Sequence, residues 1–360
     1  MIPRLYEKDA TSFDTFGICP LIDCISCTVT EERNGEFVLE MIYPRDGRWA
    51  DEIIPDRIVL AAPFEQAEQA EPFRIKEVAF DMSNNVTVQA EHISYALNYV
   101  LIGKATEQTR YPKKMFDTLV SNYLLSASCP FSFETDMTAE SQTVMTYDIP
   151  QVTPMKTILG GMEGSMLDLY GGEYKWTRWT VNLLSSRGED NGVKIAYRKN
   201  LTGLRYDVDI SGVYTGAVAF YKSQDTYVQG TRQTIQHTYG FERDIVLDAS
   251  GEFNNTTPTV AQLNTYAANY LAANAPDPVV SVDVEFVPLW QTDEYKAYED
   301  LEHVNLCDVV EVIYQPLNLA VKAKVVRTVY NVLADRYDEI TISSIKSGLA
   351  DTIYNLMERS

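Results

Sequence analysis

CTVTEERNGEFVLEMIYP, residues 27–44, alternates apolar and polar side chains on both sides of Asn34-Gly35. A period of two places successive side chains on opposite faces of a strand, and Asn-Gly tolerates the positive φ angles of a type I′ turn, so this run predicts a β-hairpin. A lone hairpin is marginal in water, because its apolar face needs further strands to cover it. The same half of the chain supplies them in DRIVLAAP, EPFRIKEVAF and NNVTVQAEHISYALNYVLI. The two-residue period returns after Glu173 in YKWTRWTVNLL, VKIAYRK and LRYDVDISGVYTGAVAFYK, then in VVSVDVEFVPL, DVVEVIY, KAKVVRTVYNVL and YDEITI. The 23 tyrosines suit such half-buried surfaces, where the ring packs and the hydroxyl reaches water.

Helical spacing interrupts the strands in four places. After Pro112, the residues Met115, Phe116, Leu119, Val120, Tyr123 and Leu124 share one helical face. Thr153 as N-cap and Pro154 at the first helical position predict a second helix, with Met155, Ile158, Leu159, Met162 and Met166 as its stripe. Glycines at 160, 161 and 164 weaken it. A third is expected from Thr257-Pro258, carrying Val260, Leu263, Tyr266, Ala267, Tyr270 and Leu271. A short amphipathic helix with Leu349, Ile353, Leu356 and Met357 closes the chain. RGEDNG, residues 187–192, lies between the alternating runs WTVNLL and VKIAY and is expected to be a hairpin tip. A calcium loop would need oxygen ligands spread over about twelve residues, where strand sequence begins at Val193 instead.

With 30 basic against 51 acidic residues, the net charge of −21 disfavours binding to a phosphate backbone. It is compatible with a passage through which DNA slides without adhering. The N-terminus carries charge early and has no apolar core of a signal peptide, and no run approaches 18 apolar residues, so neither secretion by that route nor a membrane-spanning helix is expected. The five cysteines, Cys19, Cys24, Cys27, Cys129 and Cys307, are expected to be free thiols.

Motifs that carry chemistry are sparse. Cys19, Cys24 and Cys27 have the spacing of the first three ligands of a plant-type iron–sulfur site. In an extended segment, however, residues three apart point to opposite faces, and the next cysteine lies a hundred positions on, so buried thiols are expected instead. His92, His237 and His303 form no H-E-x-x-H or H-x-H pair, which leaves a zinc peptidase without ligands. Spacing alone leaves open a Ser or Cys nucleophile beside one of them, but no G-x-S-x-G elbow and no glycine-rich nucleotide loop is present. His92 is read as a structural hydrogen-bonding residue. Carboxylate pairs are too abundant to discriminate. No residue is assigned a catalytic, cofactor-binding or metal role, and no cofactor is expected.

The chain carries one internal echo. Asp56–Leu60, Phe73–Asp81 and Val86–Val88 are matched in type and spacing by Asp308–Val312, Ala323–Asn331 and Ile340–Ile342, as a duplicated β-unit would be.

GGEYKWTRWTVNLLSSRGEDNGVKIAYRKNLTGL resembles the signature region of tail-associated proteins of long-tailed phages and prophages, the prophage endopeptidase tail or phage minor structural protein family. LIDCISCTVTEERNGEFVLEMIYP and EPFRIKEV…VQAEHISYALN resemble two further blocks of it, although Ala96 stands where the family would place an acidic residue. The resemblance implies an α+β, mainly β, multidomain chain with two related β-barrel-like domains and a smaller α+β domain. The expected division is 1–100 for the first barrel and 101–203 for an inserted α+β domain. Residues 204–345 would form the second barrel-like domain and 346–360 a helix leading to a possible extension. It further implies a trimeric baseplate hub at the virion tail tip, assembled in the host cytoplasm. The hub would dock on the distal tail protein and tape-measure components, closing the tube while DNA transits without specific binding. Lytic activity in such proteins resides in an appended C-terminal domain, so this chain is not expected to be an enzyme. A cell-wall hydrolase is the alternative, as is a carbohydrate-binding tail component using Trp176, Trp179 and Trp290.

Overall fold

The computed structural model describes residues 1–344 apart from 66–68, 81, 126–128, 139–144, 161–163, 224–225, 238, 254–255, 274–278, 287, 292–302 and 318. The chain is mainly β with short helices and several sheets. It packs as two units, one of Met1–Leu204, Val284–Tyr314 and Lys322–Ser343, the other built on Arg205–Asp283 with Gln315–Val321.

The first unit opens with β1 (Arg4–Tyr6), β2 (Cys19–Pro20), β3 (Ser26–Glu32), β4 (Phe37–Pro44), β5 (Ile58–Ala61), β6 (Glu71–Phe80) and β7 (Asn85–His92). They form an antiparallel sheet in the order β3-β4-β7-β6-β5-β1-β2. The expected hairpin is β3–β4: Asn34 has φ 57°, and the Gly35 N–H donates to the Glu32 carbonyl. Its inward positions, Val29, Leu39, Met41 and Tyr43, are fully buried.

Next come β8 (Leu101–Ile102), β9 (Ala105–Thr109) and α1 (Pro112–Ser121). Pro112 takes the first turn of α1, and Met115, Phe116 and Leu119 are buried as expected. The helix stops at Ser121, which leaves Leu124 exposed on the following turn. After β10 (Ser132–Thr135) and β11 (Met145–Ile149), the expected second helix is broken. Thr153-Pro154 form the short strand β12 against β8; α2 (Met155–Leu159) then ends at Gly160, and α3 (Met166–Tyr170) starts afresh with Ser165 as its N-cap. Glycine and an intervening cap win over the apolar period there.

RGEDNG is not a hairpin tip. β13 (Glu173–Thr177) and β14 (Thr180–Leu184) form their own tight hairpin, turning at Arg178 with φ 48°, and β14 also pairs with β10 in parallel. The strand after RGEDNG, β15 (Lys194–Ala196), pairs elsewhere. The nearer two-residue turn had already taken β14's partner, so residues 187–193 are a connection between sheets.

The second unit begins in β16 (Leu201–Asp209), followed by β17 (Gly216–Lys222), β18 (Tyr227–Gln229), β19 (Gln233–Thr234), β20 (Asp244–Asp248) and α4 (Val260–Ala273). β17 is central, antiparallel to β18 and β19 and parallel to β20. Leu263, Ala267 and Leu271 of α4 pack on Ala217, Ala219, Tyr221 and Leu247. Thr259 and Gln262 cap α4 reciprocally: the Gln262 N–H donates to Thr259 Oγ1, and the Thr259 N–H donates to Gln262 Oε1. The helix therefore starts later than Thr257-Pro258.

Following β21 (Val279–Phe286), β22 (Val309–Tyr314), β23 (Leu319–Asn331) and β24 (Arg336–Ser344) run in consecutive pairing, with β23 also antiparallel to β3. The echo seen in sequence reappears here. β5–β6–β7 joins the β3–β4 hairpin through β4, and β22–β23–β24 joins it through β3. Entry into both units is alike: Asp56 has φ 76° and its N–H donates to the Ile75 carbonyl, while Cys307 has φ 75° and its N–H donates to that of Val325. The return bonds match too, Ile75 to Arg57 and Val325 to Asp308. Asn84 and Asp335, both with positive φ, precede the third strands, and both pairs are 251 positions apart (307 less 56, 335 less 84). The helix expected over 349–357 lies outside the described residues.

Candidate functional site

Glu31 on β3 points inward at 2% exposure, where an unpaired carboxylate would be costly. Arg187 meets it with both ends of its fork, Nη1 to Oε1 at 2.6 Å and Nη2 to Oε2 at 3.1 Å. Burial lowers the guanidinium's proton affinity, but the Glu31 charge and hydrogen bonds outweigh this and hold it above its ordinary value. Beside them, Glu173 of β13 accepts from the Arg187 N–H at 2.8 Å, Arg33 Nε at 2.8 Å and Lys324 Nζ at 2.5 Å. Burial pushes the Glu173 carboxyl up, yet Lys324, the Arg187 amide and Arg33 together bring it below the usual range. Two buried carboxylates and three cations thus pin the β3–β4 turn, β13 and β23 together.

From this cluster the RGEDNG segment is stitched along the start of β22. A Cβ on Gly188 would lie 2.1 Å from the Cys307 carbonyl, so only glycine admits this approach. The Glu189 N–H donates to Asp308 Oδ1, the Val309 N–H to the Glu189 carbonyl and the Glu311 N–H to the Val193 carbonyl. β15 then runs parallel to β22, and Lys322 pairs with Asp190 at 2.6 Å. Asp308 also accepts from the Asn305 N–H at 2.7 Å, while burial, the largest influence, raises its carboxyl. A cleft of about 240 Å³ opens here, lined by Glu31, Lys175, Arg187, Glu189, Asn191 and Asp308 among others. Its best-buried acids are already engaged, Glu31 by Arg187 and Asp308 by two backbone N–H groups. The arrangement holds chain segments together and presents no nucleophile–base pair. The acidic residues that drew notice in sequence belong to this joint.

The structure brings one triad-like set together: Ser94, His92 and Glu71, all buried. His92 Nδ1 accepts the Ser94 backbone N–H at 3.2 Å, so Nε2 carries the proton and donates to Glu71 Oε2 at 3.2 Å. The only acceptor nitrogen is thus occupied by backbone, and Ser94 Oγ has no hydrogen-bond partner among the described residues. Glu71 also accepts the Arg178 N–H at 2.6 Å, and the imidazole stacks on Phe37 at 4.4 Å. A general base must reach the hydroxyl it activates; here His92 caps the turn after β7 and holds Glu71 of β6, which in turn accepts from the β13–β14 turn.

All five cysteines are free thiols. Cys24 and Cys27 do not face apart as expected. Cys24 lies in the turn before β3 and donates to the Ser26 carbonyl at 3.2 Å, and its contact with Cys27, followed by burial, pushes the Cys27 thiol up. Among the described residues, no three His, Cys, Asp or Glu side chains gather to hold a metal. Trp176 is buried, with Lys156 Nζ 4.1 Å over its ring, and Trp179 donates to the Thr11 carbonyl and packs on Phe131. Both rings are thus occupied within the fold; the Trp290 side chain lies outside the described residues.

Residues 189–353 match the family described as Prophage endopeptidase tail. The match begins inside the RGEDNG segment and covers the later, more generic part of the chain, whereas the two blocks within 21–98 and the first half of the signature region, 171–188, lie before it. No curated protein matches the sequence. Among solved structures, prophage tail protein gp18 from Listeria monocytogenes EGD-e aligns at 14% identity and TM-score 0.58, covering 100% of this chain and 99% of that one. The 43 kDa tail protein of prophage MuSo2 from Shewanella oneidensis gives 9%, 0.59, 96% and 98% respectively. The tail protein from Neisseria meningitidis MC58 gives 8%, 0.55, 98% and 98%. At such identities the likeness concerns the fold, and it extends end to end.

Proposed function

We propose that this chain, whose residues 189–353 match the prophage endopeptidase tail family, is the structural hub of a phage or prophage tail tip. In this reading three copies assemble, dock on the distal tail protein and close the tube until DNA passes. The observation that carries it is the duplicated strand unit, 56–92 and 307–344, flanking one hairpin with matched positive-φ entries. Three chains with two equivalent units each offer six similar surfaces, which is what adapting a three-fold tip to a six-fold tube requires. The net charge of −21 favours DNA passage without adhesion.

The hub acts by holding shape, and no catalytic role is assigned to its side chains. The buried Glu31–Arg187 and Glu173–Lys324 cluster and the blocked His92 favour this reading over a hydrolase, since their polar atoms are committed to backbone and to each other. The test is reconstitution of the full chain with the distal tail protein of the same phage, followed by mass measurement, beside a zymogram on host peptidoglycan. A complex containing three copies, with no clearing zone, supports the hub. Clearing by this chain alone would replace it with the hydrolase reading.

A further inference from the structure

Cys24-Ile-Ser-Cys27 has a Cys-x-x-Cys spacing that the hub reading leaves unused. On a regular strand, residues three apart face opposite sides. Cys24, however, lies ahead of β3, in a turn where its N–H donates to the Leu21 carbonyl at 3.3 Å. From there its Sγ folds back along the chain. It lies 3.2 Å from the carbonyl oxygen of the Ser26–Cys27 peptide and 3.7 Å from that of Ile42, the β4 partner of Ser26. The sulfur therefore sits beside the backbone that carries Cys27, and the two thiols are in hydrogen-bonding contact. The pair is asymmetric: Cys24 is half-buried, whereas Cys27 is 0% exposed. Cys27 is also fixed from both sides of β3, since it pairs with Met41 of β4 and its carbonyl accepts the Val332 N–H just past β23.

We propose that Cys24 and Cys27 form a dithiol–disulfide site, which closes when the chain meets a small-molecule disulfide. The Cys24 thiolate attacks one sulfur of the oxidant, forming a mixed disulfide and releasing one thiolate. Cys27 then gives up its proton and attacks the Cys24 sulfur, which expels the second thiolate. Two protein thiols are oxidised and one external disulfide is reduced to two thiols, which take up the two protons. The half-buried sulfur is the one a soluble oxidant reaches, and the buried sulfur is shielded from everything except its neighbour. The bond ties the turn before β3 to the β3–β4 hairpin. Such bonds persist outside a reducing cytosol. In the tail-tip reading, the dithiol thus belongs to assembly in the cell and the disulfide to the released particle. The chemistry of the pair does not depend on that reading.

The test uses the full chain with Cys129→Ser, which removes the other half-buried thiol and leaves four of the five. The reduced protein is incubated with oxidised glutathione, its remaining thiols are alkylated in denaturant, and its mass is measured. This chain is expected to lose two of the four alkylatable thiols and to carry no glutathione. Adding Cys24→Ala should abolish the loss. Adding Cys27→Ala should leave one glutathione on Cys24, because nothing remains to expel it, and adding Cys19→Ala should change nothing. Unchanged circular dichroism spectra establish that the variants fold. Fragmentation of the peptide spanning residues 9–33, which contains Cys19, Cys24 and Cys27, locates the bond without a substitution at any of them. Four thiols retained, a lasting glutathione adduct while Cys27 is present, or a bond that includes Cys19 overturns the assignment.

Discussion

Removing the guanidinium of Arg187 leaves the Glu31 carboxylate, 2% exposed, without the fork it faces. Arg187→Met is expected to lower stability by about 3–5 kcal/mol in urea denaturation, because an uncompensated buried charge costs more than the pair contributes. Adding Glu31→Gln should recover much of that loss, and a purely additive double variant would contradict the pairing. Lys156 allows a pH test. Burial draws its amine from the ordinary 10.5 to about 8, outweighing the attraction of the Trp176 and Tyr95 rings. Between those values the unfolded chain binds the extra proton, so this group's contribution to stability rises with pH through the window. Lys156→Met should therefore be more stable than the wild type at pH 7, with the advantage shrinking towards pH 9.5. An advantage that does not change with pH would contradict the shifted amine. Neither site was legible in sequence: Glu31 and Arg187 stand 156 positions apart, and nothing local marks two such residues as partners.

The two strand units are tied to their positive-φ residues at Asp56 and Cys307 and at Asn84 and Asp335. A β-branched side chain in the left-handed region is strained, by about 1–2 kcal/mol. Asn84→Val and Asp335→Val should each lower Tm, Asp335→Val by more because it also removes the acceptor of the Tyr330 hydroxyl, whereas Asn84→Gly should be nearly neutral. A neutral Asn84→Val would contradict the shared turn geometry. The strands themselves were readable because the alternation of Val29, Leu39, Met41 and Tyr43 follows directly from one buried face. The echo was readable as well, but its register was not: the pairing of Asp56 with Asp308 is one residue off, and that of Val86 with Ile340 is three off. Asp and Cys in the same backbone state share no side-chain signal that would place Asp56 on Cys307. RGEDNG misled for a related reason: alternation shows that a segment is a strand and says nothing about which strand it pairs with. The partner of β15 is β22, more than a hundred residues later. The start of α4, by contrast, has a local signal, since Thr259-x-x-Gln262 has the spacing of a capping box.

At the scale of the whole molecule, an acidic, mainly β chain with a duplicated strand unit shares its fold from end to end with prophage tail proteins. The charged cluster of Glu31, Arg187, Glu173 and Lys324 binds strands of the first unit to one another. The hub reading stands or falls on assembly. The most direct measurement is the native mass of the full chain by light scattering over a range of concentrations, alone and with the distal tail protein. Three times 40.7 kDa, about 122 kDa for the chain's own contribution, is the expected result. A single 40.7 kDa copy under every condition, even with that partner bound, would contradict it.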